Sequence, residues 1–180
     1  MNFIKTGISN TFIIEPAVFS DPRGLFIKNF NYDTFAAQGL EFDIKETYYS
    51  DSMKNVIRGM HFQVPPCDHD KLVYVTSGKI TDVVLDIRTN SPTYGTYITA
   101  ELSDSNNTCI FIGKGCAHGF VSLCDNTRVM YMQTSVYSPK HDAGIKWDSF
   151  GMDWPADSPI LSDRDNSLPA LRDFTSPFTG

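Results

Sequence analysis

Short apolar runs separated by turn residues dominate the pattern along this chain. They lie at residues 72–75, 80–87, 97–102, 109–112, 120–123 and 129–134. Each run is rich in apolar or β-branched side chains, and segments containing Gly, Pro, Asn, Asp or Ser separate them, as is typical of strands. Many short strands at regular spacing predict a β-sandwich or a closed β-barrel.

Two local signals refine this pattern. The Ser-Gly-Lys turn between residues 72–75 and 80–87 predicts that these runs pair as a β-hairpin. The only convincing helical stretch is 32–38, with Asn31 as a plausible N-cap and Gly39 as a stop signal. We therefore expect an all-β protein with short peripheral helices.

The C-terminal part of the chain has a different composition from the strand region. After residue 148 it is rich in Asp, Ser and Pro, with Trp154, Ile160 and Leu161 as apolar anchors. These features predict a segment that wraps around a core rather than a second domain. The expected organisation is one domain over residues 1–180.

Composition and charge exclude several function classes. The chain has 180 residues, 41% of them hydrophobic, and a net charge of −6, which predicts no nucleic-acid partner because a basic stripe is absent. No apolar run approaches the roughly 18 residues that span a bilayer, so no membrane association is expected. The cysteines are scattered and form no C-x-x-C pair, which predicts reduced thiols and a cytoplasmic location.

The densest cluster of reactive side chains is Arg58-Gly59-Met60-His61-Phe62-Gln63, followed by Lys71. In a regular strand, Arg58 and His61 would lie on opposite faces, unless a β-bulge forms near Gly59. His61 alone is equally consistent with a half-buried histidine of the barrel.

A second histidine, His118, lies in the glycine-rich stretch 113–120. Its glycines predict either close backbone approach around the imidazole or a plain turn. His69 and His141 have polar neighbours and are expected to face solvent. His61, His69 and His118 could together supply three ligands to a metal ion. No His-x-His pair or other ligand spacing supports such a site, so no metal is predicted.

Taken together, the motifs resemble those of the dTDP-4-dehydrorhamnose 3,5-epimerase family, in order and over about residues 12–170. The matching motifs are Asp21-Pro22-Arg23-Gly24-x-Phe26, Arg58-Gly59-Met60-His61-Phe62-Gln63, Lys71-Leu72-Val73, Asp86-Ile87-Arg88, Ser91-Pro92-Thr93-Tyr94-Gly95, Ala117-His118-Gly119-Phe120, Tyr131 and Leu161-Ser162-x-x-Asp165.

The resemblance implies a cupin-like, double-stranded jelly-roll barrel that acts as a homodimer without metal or organic cofactor. The implied reaction is proton transfer at C5, or at C3 and C5, of a nucleotide-diphosphate 4-keto-6-deoxy sugar. His61 would be the general base, Asp165 its partner, Lys71 the donor to the enolate oxygen, and Tyr131 the acid on the opposite face. Taken singly, Tyr131, Lys71 and Asp165 also fit ordinary structural roles.

The resemblance also implies a set of substrate-binding residues. Arg58 and His118 would hold the sugar, and Arg23 would contact the diphosphate, either in its own chain or across the dimer interface. Further contacts to the substrate are expected from Phe26, Lys28, Glu46, Tyr48 and Gln63.

The chain departs from the family pattern at positions expected near the nucleotide. Glu46 and Tyr48 stand where the family usually carries Gln and Asn, and Lys28 stands where it commonly carries Glu. Glu46 could accept a hydrogen bond from the cytosine amine, so a CDP-linked substrate of a 5-epimerase is one alternative. Others are a catalytically silent sugar-nucleotide-binding jelly roll and a metal-dependent cupin enzyme.

Overall fold

The computed structural model describes all 180 residues, and strands dominate it. The strands are β1 (Asn2–Lys5), β2 (Thr11–Glu15), β3 (Ala17–Asp21), β4 (Gly24–Lys28), β5 (Glu46–Ser52), β6 (Ile57–Gln63), β7 (Lys71–Ser77), β8 (Lys79–Asp86), β9 (Tyr97–Ser103), β10 (Cys109–Ile112), β11 (Cys116–Ser122), β12 (Thr127–Gln133) and β13 (Asp142–Gly144). The helices are α1 (Tyr32–Ala36), α2 (Asp163–Ser167) and a single 3₁₀ turn at Leu171–Asp173.

Most strands form two antiparallel sheets. The first contains β1-β2-β10-β7-β12-β5 in that order, and the second contains β13-β6-β11-β8-β9. Side chains from both sheets, such as Val73, Val129, Val84 and Phe120, share one buried cluster. The prediction of an all-β, double-stranded jelly-roll barrel is confirmed.

Strand β8 has apolar residues at successive positions, Val83 to Leu85, because both of its faces are buried. Ile80 and Val84 join the cluster between the sheets. Val83 and Leu85 point the other way, into a second cluster beneath the C-terminal segment. A strand covered on both faces needs apolar residues at successive positions, which removes the usual polar alternation.

The predicted hairpin between residues 72–75 and 80–87 is wrong. β7 pairs with β10 and β12 in the first sheet, whereas β8 pairs with β9 and β11 in the second. The Ser-Gly-Lys turn carries the chain from one sheet to the other, with Gly78 at a φ of +81°. A turn that closes a hairpin and a turn that connects two sheets use the same residue types, so the sequence pattern could not distinguish them.

Peripheral segments cover the outer faces of the sheets. Helix α1 begins at the predicted N-cap, where Asn31 Oδ1 accepts a hydrogen bond from Thr34 N at 3.0 Å, but it ends before residue 38. Its Phe35 packs against the first sheet. In the segment after 148, Trp154 and Phe178 pack against the second sheet. None of the helices has the length and apolar character that a membrane span requires.

Candidate active site

A polar cavity of about 400 Å³ opens between the two sheets, and a smaller cavity of about 200 Å³ adjoins it. His61, Lys71 and Tyr48 border both cavities. The larger one is also lined by Glu46, Phe62, Gln63, His69, Gln133, Tyr137, Asp142 and Arg164. The smaller one is completed by Ser50, Arg58, His118, Phe120 and Tyr131.

A β-bulge in β6 brings Arg58 and His61 to the same cavity. On the neighbouring strand, His118 pairs with His61 and Phe120 with Arg58, so β6 carries one residue more than its partner. Gly59 lies inside the bulge at a φ of +133°, a region that other residues rarely adopt. Of the two arrangements that the sequence left open, a regular strand and a strand with a bulge near Gly59, the structure has the bulge.

His61 is paired with the carboxylate of Asp165. The His61 Nε2 atom lies 2.7 Å from Asp165 Oδ1, and Gly59 N donates to Asp165 Oδ2 at 3.2 Å. Asp165 lies in α2, whose N-cap Ser162 accepts a hydrogen bond from Asp165 N at 3.1 Å. Burial acts to raise the pKa of Asp165, but its hydrogen bonds hold the pKa below the usual value.

Arg164 approaches the same histidine nitrogen from another side. Its Nη1 lies 2.9 Å from His61 Nε2, and its Nη2 donates to Asp142 Oδ2 at 2.7 Å. One ring nitrogen cannot donate to Asp165 and accept from Arg164 at once. Arg164 and Asp165 therefore compete for Nε2: a ring with a proton on Nε2 donates to Asp165, and a ring without one accepts from Arg164.

The environment of His61 favours its neutral form. Burial lowers the pKa of the His61 ring below the usual 6.5, and the cations Arg164 and Lys71 lower the pKa further. Asp165 raises the pKa, but burial outweighs this contribution. A neutral imidazole is the form that can accept a proton.

Lys71 is a buried cation within the cavity rather than a solvated residue on a strand. Only 7% of it is exposed, and its Nζ donates to His61 O at 3.2 Å. Burial lowers the pKa of this amine to about 8. The group can therefore donate a hydrogen bond, or lose its proton, near neutral pH.

Tyr131 lies on the sheet opposite His61. It occupies β12 in the first sheet, whereas His61 occupies β6 in the second. The Tyr131 hydroxyl lies 3.3 Å from Ser50 Oγ, and its ring stacks on Tyr48 with centroids 4.6 Å apart. Burial raises the pKa of the Tyr131 phenol well above its usual value, so the hydroxyl keeps its proton.

His118, which borders the smaller cavity, belongs to a second His–Asp pair. His118 Nε2 lies 2.7 Å from Asp82 Oδ2, and both side chains are buried. His118 belongs to strand β11 and not to a glycine-rich turn. Asp82 was not predicted from the sequence, although a carboxylate inside the apolar run of β8 is an unusual feature that could have drawn attention to it.

His69 does not face solvent, contrary to expectation. It is 8% exposed and borders the larger cavity, with Nδ1 lying 3.0 Å from Ser135 Oγ. Its Nε2 has no partner, and burial lowers the pKa of the ring to about 3. His141 is half-buried, with its Nδ1 2.8 Å from Ser138 Oγ. The histidines, cysteines and carboxylates form no group of three that could hold a metal ion.

Three residues expected at the substrate lie away from the cavities within one chain. Arg23 is at the tip of the β3–β4 hairpin, where its guanidinium pairs with Asp21 and its side chain is 90% exposed. Phe26 and Lys28 line a separate groove with Tyr74 and Met132.

The other expected residues all line the connected cavities: His61, Lys71, Tyr131, Arg58, His118, Glu46, Tyr48 and Gln63. Asp165 supports His61 from behind. Sequence reasoning missed Asp82, Asp142 and Arg164, because their contacts join segments that are distant in the sequence and leave no local pattern. Chemically, the arrangement offers His61 as a base and Tyr131 as an acid on facing walls. Lys71 adds a buried cation where the two cavities meet.

Comparison with known proteins gives a consistent result. A family model described as dTDP-4-dehydrorhamnose 3,5-epimerase matches residues 5–173. An enzyme of that name from Methanothermobacter thermautotrophicus is 43% identical over 176 residues, covering 95% of each chain.

Solved structures agree in fold. One is a dTDP-4-dehydrorhamnose 3,5-epimerase from Bacillus anthracis with TDP and PPi bound; its identity is 37% and its TM-score 0.91, covering 94% of this chain and 98% of that chain. Another, from Legionella pneumophila, is a dTDP-6-deoxy-D-glucose-3,5-epimerase in complex with dTDP-4-keto-L-rhamnose. Its identity is 34% and its TM-score 0.91, covering 95% of this chain and 93% of that chain.

Proposed function

Because the chain belongs to the dTDP-4-dehydrorhamnose 3,5-epimerase family, we propose that it inverts C3 and C5 of a dTDP-linked 4-keto-6-deoxy sugar. The chain is an isomerase that acts on a sugar nucleotide. The observation that carries the finer proposal is the placement of His61 and Tyr131 on facing sheets of one cavity. Inversion requires a base on one side of the carbon and an acid on the other.

The reaction begins when neutral His61 removes a proton from a carbon beside the C4 ketone. The imidazolium that forms donates to Asp165, whose carboxylate stabilises the new positive charge. The electron pair left by the C–H bond moves onto the ketone oxygen as an enolate. Asp165 therefore stabilises the protonated base at the moment when it forms.

The enolate oxygen needs a donor, and Lys71 supplies it from the shared border of the two cavities. Loss of such a donor typically costs about 10²–10³-fold in rate. Tyr131 then gives its proton to the carbon from the face opposite His61, and the ketone re-forms. The raised pKa of Tyr131 keeps that proton available. The phenolate takes a proton from solvent and the imidazolium loses its proton to solvent, which restores both groups for the second inversion.

The nucleotide assignment rests on the relatives and on the contacts of Glu46. Its Oε2 already accepts from Gln133 Nε2 at 2.8 Å and from Tyr137 N at 2.7 Å. Glu46 is thus held by its own chain, which weakens the case for a carboxylate that reads a cytosine amine. The structures from Bacillus anthracis and Legionella pneumophila contain TDP and a dTDP sugar.

We also propose that the enzyme acts as a homodimer in which the β3–β4 hairpin reaches the partner's site. Within one chain the hairpin pairs with no other strand, and its Phe19, Leu25 and Phe26 are 58–63% exposed. Exposed apolar patches of this kind mark contact surfaces. Insertion into a second copy would bring Arg23 to a diphosphate there.

Proton NMR in deuterated water tests the function. With dTDP-4-keto-6-deoxyglucose, we expect deuterium at C3 and C5 and formation of the inverted product. The CDP analogue, run in parallel, should react at least about tenfold more slowly, because a site built to pair one base leaves polar groups unmatched with another.

Tyr131→Phe should exchange deuterium through His61 without inversion. Faster reaction of the CDP sugar would overturn the nucleotide assignment, and inversion by Tyr131→Phe would overturn the role of Tyr131.

A further inference from the structure

Tyr48 forms one wall beside the proposed proton donor. It lies directly opposite Tyr131 in the register of β5 and β12. The two rings are nearly parallel, with an interplanar angle of 16° and centroids 4.6 Å apart. The His118 ring packs edge-on against the Tyr131 ring, with the two ring centroids 6.2 Å apart. The direction of the Tyr131 phenol is thus constrained by two aromatic neighbours.

Tyr48 is itself held in place by a short network. Its hydroxyl donates to Gln133 Oε1 at 3.4 Å, and the amide of Gln133 donates to Glu46 Oε2. Glu46 is fixed further by Tyr137 N. The two departures from the family pattern in this strand, Glu46 and Tyr48, therefore belong to one structural unit.

The position of Tyr48 also separates two spaces. It borders both the larger and the smaller cavity, and 42% of it is exposed, whereas Tyr131 is only 7% exposed. The Asn found here in the family's usual pattern has no ring and could not form this stack. Removing the ring would leave Tyr131 free to turn and open to the larger cavity.

We propose that Tyr48 is a positioning residue for Tyr131, and that its stacked ring sets how protonation is divided between C3 and C5. This inference rests on the proposed function. Proton delivery depends steeply on geometry, since a misplacement of about 1 Å can cost about 10²-fold in rate. A phenol held in one direction serves the two carbons unequally, and a phenol free to turn serves them in a different ratio.

Three variants separate the stack from other roles of Tyr48. Tyr48→Phe keeps the ring and removes the hydroxyl, and Tyr48→Asn removes the ring. Tyr49→Asn is the matched control, because Tyr49 is the next residue in β5, is 56% exposed and borders neither cavity. The measurements are kcat, KM and the initial ratio of inversion at C3 to inversion at C5.

We expect Tyr48→Asn to lower kcat by about 10- to 100-fold with KM changed less than about threefold, and to alter the C3 to C5 ratio more than about twofold. Tyr49→Asn should stay near the wild-type values, and Tyr48→Phe should keep the wild-type C3 to C5 ratio. Equal losses in Tyr48→Phe and Tyr48→Asn would assign the effect to the hydroxyl and overturn the proposal. A rise in KM at unchanged kcat would identify Tyr48 as a substrate contact and would also overturn it.

Fluorine NMR of protein labelled with fluorotyrosine tests the stack without any substrate. The Tyr131 resonance, assigned by its loss in Tyr131→Phe, should keep its shift in Tyr48→Phe and should move in Tyr48→Asn. An unchanged resonance in Tyr48→Asn would overturn the positioning role. If the wild-type enzyme turned over no nucleotide sugar, the proposed function would fail, while the resonance would still report on Tyr48.

Discussion

The protonation states of His61 and Lys71 set the pH range of activity. The pKa of His61 lies below 6.5, mainly because the ring is buried, and the pKa of Lys71 is lowered to about 8. Catalysis needs His61 without its extra proton and Lys71 with its proton. We therefore expect the acid limb of the kcat/KM profile to lie below pH 6.5, and kcat/KM to fall again above about pH 8.

Arg164 provides a direct test of this account. Its positive charge lowers the pKa of His61, so Arg164→Gln should raise that pKa and move the acid limb of the kcat/KM profile to higher pH. The position of the limb is the readout, since its height also reflects binding. Arg172→Gln is the matched control, because Arg172 is 88% exposed and borders none of the site cavities. A limb that stays in place, or moves to lower pH, would contradict the account.

At the scale of elements, the bulge in β6 depends on the absence of a side chain at Gly59. A Cβ there would lie 2.5 Å from Gly119 Cα and 2.9 Å from His118 O, at a φ of +133°. Gly59→Ala should therefore lower the free energy of unfolding by about 3 kcal/mol or more, through overpacking and backbone strain. Denaturant unfolding measures the change, and soluble protein should lose activity because β6 carries His61.

Gly7→Ala is the control for this prediction. A Cβ at Gly7 meets nothing within 4 Å, and its backbone has no positive φ. Its effect should stay within about 0.5 kcal/mol. A Gly59→Ala protein as stable as Gly7→Ala would show that the two strands can separate at little cost.

Elements with buried faces were predictable from the sequence, and elements that build the site were harder to find. The run at β8 is apolar on both faces and stands out at once. β5 does not, because Glu46, Tyr48 and Ser50 face a polar cavity and break the alternation of apolar and polar residues. The β3–β4 hairpin was missed, although its apolar runs flank an Asp-Pro-Arg-Gly turn that is typical of a hairpin.

Contacts between segments that are distant in the sequence account for the features of the site that could not be predicted. The bulge could be anticipated because Gly59 lies between two reactive side chains, and Asp165 could be placed by its motif. The competition between Arg164 and Asp165 for one histidine nitrogen could not, because it depends on how α2 docks on β6. Periodicity reports which face of a strand is buried, but not which strands share a sheet, as the connection at Gly78 illustrates.

At the scale of the whole molecule, the proposed dimer predicts that two inactive chains can restore each other. If Arg23 serves the partner's site, a heterodimer of Arg23→Ala and His61→Asn contains one fully intact site. Equal mixing gives half heterodimers, so about a quarter of wild-type activity should return after co-expression and exchange. Mixing His61→Asn with Asp165→Asn is the control, because these residues contact each other within one chain and no pairing can reunite them. If the mixture of Arg23→Ala and His61→Asn is only as active as the two homodimers measured separately, the proposal is contradicted. Arg23 would then act in its own chain's site, or lie away from the substrate altogether.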